Sequence, residues 1–292
     1  MSRPVTVGVD GSPGGVAAAE WAARESALRG VPLRIVYAEQ RPGAATIRHS
    51  NPEARRRWAE ELLTEAVEAV RQEHPSLEIE TRHLSGEPAE VLAHEAAEAA
   101  LLVLGSRGLG GVRGFLLGSV GMATISVTER PVVLVRAPGR LDAPNRAALA
   151  APSRAVVVGV DLDRFFGPLL DFAFGEAAVR GEQVLALHGW SIPPVVRDAS
   201  ALVRAEREMG PDIARRLTEG LRPWRQKFPS VDLVERPCVG GPAQLLLHAA
   251  EGADLVVVGR RVRRGSLGTH IGSVTHAVIH HCAAPVAVIA HE

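Results

Sequence analysis

The chain has 292 residues, 46% of them apolar and 23% charged, and its 33 basic and 33 acidic side chains leave a formal net charge of zero. That balance speaks against general nucleic-acid binding, which leaves a basic excess, and no window reaches the about 18 apolar residues of a membrane-spanning helix. The length suits about two domains, each able to bury a core of its own. The opening MSRPVTVGVD enters strand-like sequence without a signal-peptide pattern, which predicts a cytoplasmic protein partnered by neither nucleic acid nor membrane. Cys238 and Cys282 lie far apart and in no metal-ligand or redox spacing, so both read as small buried residues.

In chain order, short aliphatic runs at Val5 to Val9, Leu33 to Ala38, Leu77 to Leu84, Leu101 to Leu104 and Val132 to Val135 read as strands buried on both faces. Alanine-rich helices separate them. The first runs from Pro13 to Arg29 and stops at Gly30, a residue suited to a left-handed C-cap. The second starts with Asn51 as cap and Pro52 in its first position, and ends near His74-Pro75. A fourth helix is expected to start near Gly118-Ser119. Strands alternating with helices predict a parallel sheet covered on both faces.

The second half repeats the first. Gly86, Pro88, Ala89, His94, Gly105, Gly118, Ser119 and Pro131 recur 154 residues later as Gly240, Pro242, Ala243, His248, Gly259, Gly272, Ser273 and Pro285. The opening VTVGVD recurs as VVVGVD at an offset of 151, so three residues must be added in an intervening loop or helix. The strands of this copy are expected near 155–160, 184–188, 231–236, 254–258 and 286–290. The boundaries expected are therefore a first domain over 1–138, an Ala- and Pro-rich linker over 139–153, and a second domain over 154–292.

Ligands of open parallel sheets gather beyond the carboxyl ends of the strands, where strand order reverses. Two features lie at strand ends. Asp10-Gly11-Ser12 follows the first strand, and GSRGLGGVRGFLLGS (105 to 119) follows the fourth. Glycines let backbone amides approach an anion, and the amides of Gly118, Ser119 and Val120 at a helix N-terminus add the macrodipole and a hydroxyl. The loop has no lysine, which excludes a Walker A reading, and the first strand lacks the dinucleotide fingerprint spacing. The alternative is a loop whose glycines serve only turns.

Gly105-x-x-Gly108, nine residues, then Gly118-Ser119, together with Val7-Gly8-Val9-Asp10-Gly11-Ser12, resembles the signature and opening of the ATP-binding class of universal stress proteins. The resemblance covers nearly the whole chain in tandem. It implies two doubly wound α/β domains of the adenine nucleotide α-hydrolase-like type, each with a five-stranded parallel sheet in the order 3-2-1-4-5. By position it gives Asp10, with Gly11 and Ser12, to the adenosine moiety, and Ala38 to a backbone contact with adenine where the family usually has valine. Gly105, Gly108, Gly118, Ser119 and Val120 fall on ribose and triphosphate positions. Asp10 has a second reading as a cap of the first helix.

The second copy departs from this pattern. Asp161, Gly259, Gly272, Ser273 and Val274 keep the frame, but Val262 replaces the second glycine, at a cost of about 1 kcal/mol if positive φ is needed there. Asp161-Leu162-Asp163 lacks the Gly-Ser of the first copy, whereas Arg260, Arg261, Arg263 and Arg264 make the loop cationic. This copy is expected to be a degenerate or weaker site. His276 and His280 stand four apart on a helix, but copy one has Met122 and Ser126 there and no carboxylate completes a set, so no metal site is expected. His94 and His248 recur at equivalent places, which suggests shared packing or capping.

The expected function is an ATP-binding stress-response regulator, with ATP and Mg²⁺ in the first domain stabilising a conformation or assembly. No nucleophile with an adjacent base emerges, so no catalytic residue is assigned and any ATPase is slow. The alternative is a nucleotide-independent interaction module. In it the fifth strands of the two domains pair within one chain, with a homodimer or an unknown protein partner beyond. An adenylating enzyme would need motifs after the first strand that are absent.

Overall fold

A computed structural model describes residues 2–40, 51–106, 118–137, 154–164, 167–191, 199–262 and 271–291. The described chain forms two compact units, each of five strands and four helices. The expected linker, Gly108, and the arginines at 263 and 264 lie outside the described residues.

In the first unit β1 (Val5–Gly8), β2 (Leu33–Gln40), β3 (Ile79–Gly86), β4 (Leu101–Ser106) and β5 (Val132–Arg136) are all parallel, in the order 3-2-1-4-5. The helices are α1 (Pro13–Arg29), α2 (Pro52–Glu73), α3 (Pro88–Glu98) and α4 (Ser119–Val127). α1 packs with α2, and α3 with α4, so the pairs cover the two faces of the sheet. The central strands carry the core: Val5, Val7, Leu33, Ile35, Leu101 and Val103 are fully buried.

The helix signals act as the sequence predicts. Ser12 caps α1 by accepting the Gly15 N–H (3.1 Å), and Gly30 ends it at φ 62°. Asn51 accepts from Glu53 and Ala54 at the start of α2, with Pro52 in the first position. One expectation changes: β3 begins at Ile79 rather than Leu77, and its residues are partly exposed, because it lies at the edge of the sheet. Leu77 is held in a turn by its N–H to the His74 carbonyl.

The second unit repeats the order with β6 (Ala155–Gly159), β7 (Gln183–Trp190), β8 (Leu233–Val239), β9 (Leu255–Arg261) and β10 (Val286–His291). Its helices are α5 (Gly167–Arg180), α6 (Ala199–Lys227), α7 (Pro242–Ala249) and α8 (Ser273–His281). The strand registers locate the three added residues. Val5 pairs with Leu33 and Val156 with Val184, an offset of 151 on both strands. Leu33 pairs with Ile79 and Val184 with Leu233, so the offset has become 154 by the third strand. The insertion therefore lies in the connection that carries α2 and α6, and the sheet frame is untouched.

Among the described residues no helix is long and apolar enough to cross a membrane. Cys282 is buried as expected, but Cys238 is only half-buried, on the edge strand β8, and both are free thiols.

Candidate nucleotide site

The first unit has a cavity of about 300 Å³ beyond the carboxyl ends of β1, β2 and β4. β1 neighbours both β2 and β4 while its connection leads only to β2, so this is where strand order reverses.

Asp10 reaches the cavity because β1 ends at Gly8 and the chain turns into α1. Its Oδ1 accepts from the Ser12 N–H (3.0 Å) and the Ser12 hydroxyl (2.5 Å), which fixes the carboxylate at the mouth. Gly11 takes φ +76°, the left-handed backbone that this turn requires. Gly11 and Ser12 do not line the cavity; they shape the turn and cap α1. The cap belongs to Ser12, so Asp10 acts through Ser12 rather than on the helix itself.

The start of α4 lines the same cavity as Asp10. Gly118 is the helix N-cap, at φ −60°, and among the described residues no side-chain cap hydrogen bond is made at this end. Gly118, Ser119, Val120 and Gly121 all face the cavity, so the first-turn donors and the positive end of the dipole are turned toward it. Ala38 lines the wall at the end of β2, as does Gly105 at the end of β4. Gly105 has a further constraint: a Cβ there would stand 2.3 Å from the Gly14 carbonyl carbon and 2.6 Å from the Gly15 nitrogen. Its lack of a side chain lets α1 close on β4, whatever binds nearby.

Sequence reasoning missed an aromatic wall. Tyr37 and Trp58 both line the cavity and meet edge to face, with ring centroids 5.2 Å apart, and His83 lies 5.5 Å from Tyr37. The signal was present: Tyr37 is the chain's one tyrosine and sits beside Ala38. Trp58, though, shares helical spacing with Leu62 and reads as core in a sequence, whereas it is 47% exposed. The Tyr37 phenol is pushed above its ordinary range by burial and then by the carboxylates of Glu39 and Asp10. Glu39 is held below its ordinary range by its hydrogen bond from Arg55 (2.7 Å), with His83 (2.9 Å) adding to it. This ties α2, which carries Trp58, to β2 and β3.

The second unit has a cavity of about 390 Å³ at its own strand ends. Asp161, Gly259 and Val274 line it, but Gly272 and Ser273 do not. Asp161 accepts from the Asp163 N–H (3.0 Å), repeating the turn of Asp10 without its hydroxyl partner. Val262 bears no left-handed strain, since Arg154 is the one non-glycine with positive φ among the described residues. The Val262 N–H donates to the His291 carbonyl (2.7 Å) and is thereby committed to the fold. Arg260 is buried and lines no part of the cavity. The rings of His276 and His280 lie 4.3 Å apart, and the described residues hold no group of three His, Cys, Asp or Glu able to bind a metal. His94 is exposed while His248 is half-buried, so the two equivalent positions differ in burial.

Residues 1–136 and 152–290 each match the model of the universal stress protein family. Universal stress protein Rv1996 of Mycobacterium tuberculosis is 34% identical over 309 aligned residues, covering 97% of this chain and 94% of its own. Universal stress protein Rv2623 of the same organism is 31% identical, covering 100% and 97%. A universal stress protein from Archaeoglobus fulgidus, 18% identical with full coverage of both chains and a TM-score of 0.69, shares the fold. Two family matches and relatives of full length place this chain in the universal stress protein family, in its tandem form.

Proposed function

We propose that the first domain binds ATP and that the bound nucleotide stabilises the conformation or assembly through which this protein acts in the stress response. The observation that carries the reading is that the Asp10 carboxylate and the N-terminus of α4 line one cavity. An ionised carboxylate accepts hydrogen bonds from ribose hydroxyls or an exocyclic amine, and backbone amides at a helix start hold phosphate. Between them Ala38 offers main chain, and Tyr37 and Trp58 offer aromatic surface on which a base can pack.

The donor set fits a polyphosphate without lysine. Gly118, Ser119 and Val120 present amides and a hydroxyl, and Gly121 leaves room beside them. Mg²⁺ would be carried mainly by the phosphates and water, as this ion commonly is, and would neutralise charge there. The nucleotide acts as a structural effector, and any hydrolysis is slow.

The test is to denature the protein as purified, without added nucleotide, and identify what is released. Near-stoichiometric ATP supports the reading. Release of nothing, together with no thermal shift on adding ATP and Mg²⁺, rejects it in favour of a nucleotide-independent interaction module.

A further inference from the structure

His276 and His280 stand one turn apart on α8, and their rings lie together, with centroids 4.3 Å apart and planes at 45°. Residues four apart on a helix share a face. His276 is exposed and His280 half-buried, so the pair sits where solvent and ions reach it. By sequence the pair lacks a completing carboxylate and no metal site is expected of it; the structure adds that the two rings are already gathered nearly to the spacing of ligands on one ion.

Imidazole nitrogens bind Zn²⁺ at about 2.0–2.1 Å, and a ring centre lies about 1.1 Å beyond its nitrogen. Two imidazoles on one ion, at an angle between about 90° and about 109°, therefore have centres about 4.5–5.2 Å apart. The observed 4.3 Å falls short of that range by less than about 1 Å, which small rotations about the side-chain bonds close. Each ring has two nitrogens, so giving one to an ion leaves the other for a hydrogen bond that orients the ring.

The feature belongs to the second domain. Met122 and Ser126 occupy the corresponding turn of α4, and there the Ser126 hydroxyl donates to the Met122 carbonyl (2.8 Å). In α8 the preceding residue is fixed: Thr275 lines the second cavity and donates its hydroxyl to the Gly259 carbonyl (2.6 Å). An ion on His276 and His280 would clip the next turn of the same helix.

We infer that α8 binds a divalent late transition ion, of the class of Zn²⁺, Ni²⁺ and Cu²⁺, through His276 and His280. Among the described residues no third His, Cys, Asp or Glu completes a metal-binding group with the pair, so water fills the remaining positions and the site is weaker than a closed four-ligand one. Mg²⁺ keeps oxygen ligands and is not drawn to it. The ion needs the folded helix to be chelated, and so stabilises the second domain.

The experiment titrates Zn²⁺ into the tag-free full chain, without nucleotide, and follows the imidazole resonances, with His276 and His280 assigned from His276→Gln and His280→Gln. Both resonances are expected to move together and saturate at one ion per chain, while Mg²⁺ leaves them in place. Each substitution removes one arm of the chelate and should weaken Zn²⁺ binding about tenfold or more, whereas His281→Gln, off the shared face, should not. Calorimetric titration should find Cu²⁺ tighter than Ni²⁺ or Zn²⁺. Without metal, the urea midpoint of His276→Gln should match wild type, because that ring is exposed; with Zn²⁺, the wild-type midpoint should rise and that of the variant should not. Resonances that stay in place as Zn²⁺ is added, or Zn²⁺ binding that persists undiminished in both variants, would overturn the inference. No nucleotide is present, so the outcome stands apart from that of the first domain's test.

Discussion

Gly14 and Gly105 meet backbone to backbone where α1 crosses the end of β4: a Cβ on Gly105 would stand 2.3 Å from the carbonyl carbon of Gly14, and one on Gly14 2.7 Å from the Ser106 carbonyl oxygen. The first glycine of the signature is therefore a packing residue as well as a cavity residue. Gly105→Ala is expected to destabilise the first domain by about 2 kcal/mol or more, because the clash is with main chain that cannot rotate away. A urea midpoint within error of wild type would show that α1 and β4 separate freely.

Gly118 behaves differently. Its φ of −60° is open to any residue, so Gly118→Val should cost only about 1 kcal/mol at the helix cap. ATP affinity should nevertheless fall about tenfold or more, since the side chain would enter the space before the α4 amides. Comparing calorimetric titration with urea unfolding of this variant separates binding from folding.

Trp58 gives an intrinsic reporter. It lines the cavity edge to face with Tyr37, so ATP should change tryptophan emission, and Trp58→Phe should abolish most of that change while keeping an aromatic wall. An emission change that survives in Trp58→Phe would place the nucleotide elsewhere.

A pH dependence is expected from the opposite end of the second domain's strands. Glu182, just before β7, is pushed up to about 7 by burial first and by its hydrogen bond with Asp254 second, with Arg180 and Arg154 opposing weakly. The folded protein then holds a proton that the unfolded chain releases near 4.5, so this contribution is complete below that pH and is lost as pH rises through about 7. Glu182→Gln should flatten the decline in urea midpoint between pH 5 and pH 8. A wild-type midpoint that rises over this interval, or a decline that is no less steep in the variant, would contradict the assignment.

The fold was largely legible because its signals are local. Pro13 and Gly30 bracket α1, and Asn51-Pro52 opens α2, each through backbone chemistry that a sequence displays. The repeat offset even confined the insertion, which strand register then located. The candidate residues Asp10, Ala38 and Gly105 at strand ends and Gly118 to Val120 at a helix start were assigned by position from the family resemblance, and all of them line the cavity. Gly11 and Ser12 resisted, because adjacency to Asp10 does not reveal which way a turn faces. Trp58 and His291 were invisible for another reason: one comes from a helix across the cavity and the other from the last strand, and only tertiary packing brings them to the strand ends.

The central claim is one ATP site in the first domain, built from Asp10 and the start of α4. Its most direct test is calorimetric titration of the full chain with ATP and Mg²⁺, in wild type, Gly118→Val and Asp10→Asn. One tight site per chain, weakened about tenfold or more in each variant, is the predicted result. Two equal sites, or a single site indifferent to both substitutions, would contradict it.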